Sequence, residues 1–218
     1  MIKTIIFDLD GTLIESLSSI VYSMNFLLKK EGFPIYSTDE YKMFIGDGVT
    51  RLVELSFPEL NSDKLRYYIK EYINIYINSW REKTIPFEGI CQMLKKFQKN
   101  GINMFILSNK RDDITKLQVG ELFSDINFLD VRGAVAGIPK KPEPDVAIQM
   151  LNKNSFSPDE TIFIGDSGVD MQTAVNGGMI PGGVLWGFRG REELSKSGAE
   201  YLFETPSEII RAVLEKNG

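Results

Sequence analysis

Four short polar clusters in this chain each stand just past an apolar run, and their residue types suit group-transfer chemistry. In the first, Asp8-Leu9-Asp10-Gly11-Thr12 follows Thr4-Ile5-Ile6-Phe7. Residues two apart share a face of an extended chain, so Asp8 and Asp10 point the same way, while Gly11 permits a backbone turn that bulkier residues resist. Two clustered carboxylates invite a cation or a shared proton. The second is Ser108-Asn109-Lys110 after Met104-Phe105-Ile106-Leu107. A hydroxyl and exposed amides at a strand end can hold phosphate oxygens, although the tripeptide fits a helix cap before Arg111-Asp112-Asp113 equally well. In the third, Lys140-Lys141-Pro142-Glu143-Pro144, two prolines fix the backbone beside Lys141. The fourth, Gly165-Asp166-Ser167-Gly168-Val169-Asp170, follows Thr161-Ile162-Phe163-Ile164. It also fits a capped helix start with Asp170 as a first-turn acid. Taken together the plain explanations weaken, because three separate strands carry polar sets at one end, the edge where open α/β sheets bind ligands.

The elements needed to hold these clusters can be read from periodicity. Apolar runs at Thr4–Leu9, Met104–Leu107, Thr161–Ile164 and Val184–Trp186 alternate with helical patterns. That alternation predicts an α/β fold, a Rossmann-like and mainly parallel sheet covered on both faces. A helix from Glu88 places Ile90, Met93, Leu94 and Phe97 on one stripe and stops at Asn100-Gly101. Val146, Ala147, Met150 and Leu151 form a second stripe, and Ile209, Ile210, Val213 and Leu214 a third. Between Ser16 and Glu82 no strand pattern occurs and helical segments follow one another. The expected organisation is a core domain from residues 1–15 and 83–218, with a small all-helical domain, 16–82, inserted. Leu65, Tyr68, Ile69, Tyr72, Ile73, Tyr76, Ile77 and Trp80 give its last helix a broad packing face. Asn176-Gly177-Gly178 and Pro181-Gly182-Gly183 predict a flexible connection before the last strand run.

Composition narrows the chemistry. The chain has 218 residues, 43% of them hydrophobic, and a net charge of -5. That balance argues against a nucleic-acid surface, which needs clustered Lys and Arg. One cysteine, Cys91, allows neither an intrachain disulfide nor a thiolate zinc cage. No apolar run approaches the length of a membrane span and no secretory leader pattern precedes the first strand, so a cytoplasmic protein without membrane partners is expected. Histidine is absent altogether, so acid-base work near neutral pH must fall to carboxylates or lysine.

The ordered series Asp8-x-Asp10-x-Thr12, Ser108, Lys141 and Gly165-Asp166-x-x-x-Asp170 resembles the four motifs of the haloacid dehalogenase superfamily of phosphohydrolases, over nearly the whole chain. The helical insertion resembles that family's small cap. Ser108-Asn109-Lys110, Lys141-Pro142-Glu143-Pro144, Gly165-Asp166-Ser167 and Trp186-Gly187-Phe188-Arg189-Gly190 are most similar to its phosphoglycolate phosphatase branch. The resemblance implies a Mg²⁺-dependent phosphatase acting on a small soluble phosphate ester. Asp8 is then the nucleophile, forming an aspartyl-phosphate, and Mg²⁺ is held by Asp8, the Asp10 backbone carbonyl and Asp166. Lys141 neutralises charge between Asp8 and the phosphoryl group. Ser108 and the Asn109 amide, with Gly11 and Thr12, surround the transferring oxygens. Asp10 protonates the leaving oxygen and then activates water, and Ser167 and Asp170 support the site, Asp170 by positioning either Lys141 or a metal-bound water. The residue set makes physical sense, since two unit charges 4 Å apart repel by about 4 kcal/mol at an effective dielectric near 20. A sugar phosphomutase of the same superfamily and a non-catalytic regulatory protein are the alternatives. Arg51, after Gly46-Asp47-Gly48, and Arg189 are expected to grip the far end of the substrate.

Overall fold

The computed structural model describes residues 2–215. Chain contacts divide it into two compact units, one running to Ile14 and resuming at Pro86, the other Glu15–Ile85.

The first unit is a six-stranded, all-parallel sheet. Its strands are β1 (Thr4–Phe7), β4 (Asn103–Arg111), β5 (Asp130–Ala134), β6 (Thr161–Gly165), β7 (Ile180–Val184) and β8 (Tyr201–Phe203), in the spatial order β5-β4-β1-β6-β7-β8. Its helices are α5 (Ile90–Lys99), α6 (Asp112–Leu122), α7 (Asp145–Lys153), α8 (Gly168–Asn176), α9 (Arg191–Lys196) and α10 (Pro206–Ile210). Every β1 residue is buried because strands lie on both sides and helices on both faces. The period of two sorts its side chains. Ile5 and Phe7 join Met104, Ile106, Ile162 and Ile164 against Ile90, Met93, Leu94 and Phe97 of α5 and Ile209 and Val213 near the C-terminus. Ile6 joins Phe105, Leu107 and Phe163 against Ala147, Met150 and Leu151 of α7. α5 stops as its sequence predicts, with Asn100 as cap and Gly101 at φ +71°.

Register aligns the chemistry. Phe7 pairs with Ile106 on one side and Ile164 on the other, so Ser108 and Asp166 each stand two residues past those partners and flank the segment that follows Phe7.

The structure corrects several element boundaries. β4 runs through Ser108-Asn109-Lys110 to Arg111, with a register irregularity between Leu107 and Arg111, and α6 starts only at Asp112. The tripeptide is therefore the irregular end of a strand, not a helix cap. The last strand run lies earlier than Val184–Trp186: β7 is Ile180–Val184, and the Pro181-Gly182-Gly183 segment is an ordered strand instead of a flexible link. The glycines allow close packing there, since a Cβ on Gly182 would stand 3.0 Å from Ile162 Cδ1 and one on Gly183 3.0 Å from Leu194 Cδ1. β5 and β8 have no counterpart among the predicted strands.

The second unit contains α1 (Leu17–Lys30), α2 (Thr38–Phe44), α3 (Gly48–Ser56) and α4 (Ser62–Ser79); the chain enters it through β2 (Ile14–Glu15) and leaves through β3 (Ile85–Pro86). α2 begins with a capping box in which Ser37 and Glu40 satisfy each other's amides, and the Asn61 side chain caps α4. Ile20, Met24, Leu27 and Leu28 of α1 are buried, as are Leu52 and Val53 of α3 and Tyr68, Tyr72, Ile73 and Tyr76 of α4. Tyr68 stacks on Phe57 with ring centres 3.9 Å apart. The aromatic row is packing surface.

Candidate active site

The site is built at the carboxyl ends of β1, β4 and β6, with Lys141 contributed by the segment between β5 and α7. Asp8 continues the sheet ladder, its amide donating to the Ile164 carbonyl at 2.9 Å. Its carboxylate Oδ1 accepts from Lys141 Nζ at 2.6 Å, and the same ammonium donates to Asp170 Oδ1 at 2.6 Å. All three residues are buried. Asp170 is held in turn by Ser167, whose amide and hydroxyl both donate to Asp170 Oδ2. The first-turn acid of α8 therefore caps its helix with one oxygen and orients Lys141 with the other.

Asp166 lies in a vise. Its Oδ2 accepts from the Phe188 amide at 2.7 Å. A Cβ on Gly187 would stand 2.2 Å from Asp166 Cβ, so glycine alone fits there. Gly11 faces the same carboxylate and also requires glycine for its φ of +84°. Trp186 Nε1 donates to the Thr12 carbonyl at 3.0 Å, tying the loop after β7 to the loop after β1.

Asp8, Asp166 and Asp170 each present an oxygen within 4.8 Å of the others. Of these three buried carboxylates Asp8 and Asp170 are bonded to the Lys141 ammonium, while Asp166 accepts from the Phe188 amide, and the electrostatics show the imbalance. Burial lifts the Asp8 carboxyl to about 7, with Lys141 pulling it down and Asp170 pushing it up. Asp166 is held well above the usual carboxylate range by burial and then by Asp170 and Asp8. Burial disfavours the Lys141 charge, yet Asp170 and Asp8 more than offset that and hold it above the ordinary lysine value. A cluster short of positive charge, with oxygen donors only, fits a hard divalent cation.

Ser108 is buried and its Oγ accepts from the Lys110 amide at 3.2 Å, while Asn109 Nδ2 donates to the Lys141 carbonyl at 3.0 Å. The Thr12 hydroxyl is buried and has no hydrogen-bond partner, which leaves a donor for a ligand oxygen. Asp10 does not join the carboxylate cluster: its Oδ1 accepts from Lys110 Nζ at 2.6 Å. Lys110, quoted in the second motif but given no role there, is thus a constituent of the site, and its ammonium also donates to Gln118 Oε1 at 2.8 Å. Gln118, buried on α6, gives no signal in the sequence. The two arginines are placed differently. Arg189 Nε lies 3.3 Å from Glu193 Oε2, and Glu193 Oε1 accepts from the Gly168 amide at the start of α8. Arg51 sits on α3 of the helical unit, half-exposed and 3.4 Å from Glu54.

Asp8, locked to the buried Lys141, and Asp10 stand at the tip of the central strand of a chain that has relatives among known proteins. The sequence pattern of the haloacid dehalogenase-like hydrolases fits residues 5–183. The chain belongs to that family. Among haloacid dehalogenase-like hydrolases it is similar to the phosphoglycolate phosphatase of Aquifex aeolicus, 26% identical over 215 residues, covering 96% of this chain and 95% of that one. The phosphoglycolate phosphatase of Vibrio parahaemolyticus is 25% identical, covering 97% and 96%. Among solved structures, a Lactobacillus delbrueckii subsp. bulgaricus protein provisionally assigned as a phosphoglycolate phosphatase superposes with a TM-score of 0.89 at 26% identity, covering 97% and 98%. A haloacid dehalogenase-like family hydrolase of Streptococcus pneumoniae shares the fold at TM-score 0.86. No helix among the described residues of this hydrolase is long and apolar enough to cross a membrane.

Proposed function

We propose that this hydrolase is a Mg²⁺-dependent phosphatase that cleaves a small soluble phosphomonoester through an aspartyl-phosphate on Asp8. One observation carries the reading: Asp8 is pinned by Lys141 inside a buried group of carboxylates. The phosphoglycolate phosphatases among its relatives support the reaction class.

In this reading an Asp8 oxygen attacks phosphorus while the bond from phosphorus to the ester oxygen breaks. Asp10 gives its proton to the departing alkoxide. It then takes a proton from the water that hydrolyses the aspartyl-phosphate and regenerates Asp8. Lys141 offsets charge between Asp8 and the phosphoryl oxygens, held in place by Asp170. Ser108, the Asn109 amide, Gly11 and Thr12 surround those oxygens. Asp8, Asp166 and the Asp10 carbonyl would hold Mg²⁺, which supplies the positive charge that keeps Asp8 ionised and reduces its repulsion with the ester. The helical unit serves as a cap carrying selectivity, with Arg51 and Arg189 as candidates for the substrate's far end.

The test is phosphate release from a panel of small phosphomonoesters, phosphoglycolate included, with Mg²⁺ and with chelator. Release that requires the metal and stops in Asp8→Asn is expected. Turnover indifferent to chelator, or none on any phosphomonoester, would overturn the reading.

A further inference from the structure

We propose that Glu193 is a positioning residue for Asp166, its single carboxylate closing a clasp between the two chain segments that fix where the Asp166 oxygens stand. This rests on the proposed function, in which Asp166 helps to hold Mg²⁺.

The clasp is a closed circuit of contacts. Two residues along the chain from Asp166, the Gly168 amide donates to Glu193 Oε1 at 3.0 Å. Glu193 Oε2 lies 3.3 Å from Arg189 Nε. Arg189 adjoins Phe188, whose amide donates to Asp166 Oδ2 at 2.7 Å and completes the circuit. The first amides of a helix have no partner within it, and a carboxylate is favoured beside them, so a cap on α8 accounts for Oε1. It does not account for Oε2, which reaches instead to the loop after β7. One side chain of α9 therefore ties the loop that carries Asp166 to the loop that grips its carboxylate.

The glutamate is well seated for this. Its neighbour Leu194 is fully buried, and a Cβ on Gly183 of β7 would stand 3.0 Å from Leu194 Cδ1, so α9 rests against the sheet. The start of α8 comes equally close from the other side, since a Cβ on Gly168 would stand 2.6 Å from Ser197 Oγ and 3.2 Å from Glu193 Oε1.

With Oδ2 engaged by Phe188, the rotation of the Asp166 carboxylate follows the position of that amide. Metal ligands have to be held within about 0.5 Å of their working geometry, and Mg²⁺ tolerates little departure from an octahedron. Opening the clasp lets the Phe188 amide shift relative to Asp166, and metal affinity falls. Global stability depends on it far less, because the Glu193 side chain is 41% exposed and ion pairs of exposed groups contribute little. Metal binding and folding thus respond differently to the same substitution.

The experiment uses the full chain and titrates Mg²⁺, reading the rise in melting temperature without substrate and, separately, phosphate release from an aryl phosphate. Loss of a group that orients a metal ligand costs about 10- to 100-fold in affinity. Glu193 acts at one remove, so Glu193→Ala should raise the Mg²⁺ needed for half effect by about tenfold in both readings, while the rate at saturating Mg²⁺ and the metal-free melting temperature stay near wild type. Glu193→Gln keeps an acceptor for Gly168 but loses the charge facing Arg189. It should fall between wild type and alanine, and it carries the test if the alanine variant does not fold. Glu192→Gln is the control, removing one charge from the same helix where the carboxylate meets only Lys196, at 2.6 Å and mostly exposed. An unchanged Mg²⁺ requirement in both Glu193 variants, or an equal shift in Glu192→Gln, would overturn the proposal. A wild type whose melting temperature and phosphate release both ignore Mg²⁺ would overturn the metal reading, and the proposal with it.

Discussion

Replacing Gly187 by alanine would test how the site holds Asp166. The new Cβ would stand 2.2 Å from Asp166 Cβ, 2.5 Å from Asp166 Oδ2 and 2.5 Å from the Gly11 carbonyl oxygen, where ordinary contacts begin at 3.4 Å. Relief needs 3.4 − 2.2 = 1.2 Å on the Asp166 side and 3.4 − 2.5 = 0.9 Å on the Gly11 side. Because one obstacle is backbone, the loop after β7 must lift by about 1 Å. Such a lift stretches the 2.7 Å bond from the Phe188 amide to Asp166 to the edge of hydrogen-bond range and leaves the carboxylate free to turn. Displacing a group that orients a metal ligand costs about 10- to 100-fold in affinity or activity, and overpacking typically costs 1–3 kcal/mol of stability. For a chain of this size that is a fall in Tm of very roughly 2–12 °C. Mg²⁺ titrations of phosphate release and thermal melts read both effects. Gly190→Ala is the control, as nothing lies within 4 Å of its Cβ position. Wild-type Mg²⁺ half-activation and kcat/KM in Gly187→Ala would refute the reasoning.

Further outcomes follow from the same geometry. Asp10→Asn should slow alkyl phosphates far more than an aryl phosphate whose leaving group needs no proton; equal losses in initial-rate assays would count against the acid-base role. Burial raises Asp8 from 3.8 to about 7, so the folded state binds its proton more tightly than the unfolded chain. Without metal, the stabilisation from the protonated form is complete below about pH 4 and is lost as pH rises through about 7. Melts across that window should therefore fall in chelator and fall less in Mg²⁺, and identical profiles would contradict it. Arg51→Ala or Arg189→Ala should raise KM for a substrate that carries a carboxylate or second phosphate and spare a small aryl phosphate, whereas uniform losses across all substrates, or none at all, for both would remove them as selectivity residues.

What was legible in the sequence were features fixed by local pattern. β1, β4 and β6 are central and apolar, so their runs stood out, and the motifs at their ends came with them. α5 and the helical run from α1 to α4 showed through 3.6-residue periodicity. β5 did not, because Asp130-Val131-Arg132-Gly133-Ala134 is an edge strand, half-buried along most of its length, with no apolar alternation. β7 was misplaced because Pro181, Gly182 and Gly183 read as a turn, while their small size is what close packing against Ile162 and Leu194 demands. Within the site, residue types told which carboxylates and lysines stood near strand ends. They could not tell that Asp10 meets Lys110 across 100 residues of chain, or that Gly187 leaves room for Asp166. Those facts arise from packing between loops, which no local period encodes.

The most direct test of the central claim is an acid quench during turnover of a substrate radiolabelled in its phosphoryl group, followed by peptide mapping. The account predicts label on the peptide containing Asp8, formed in wild type with Mg²⁺ and absent in Asp8→Asn. Steady phosphate release without any label on that peptide, undiminished in Asp8→Asn, would contradict it.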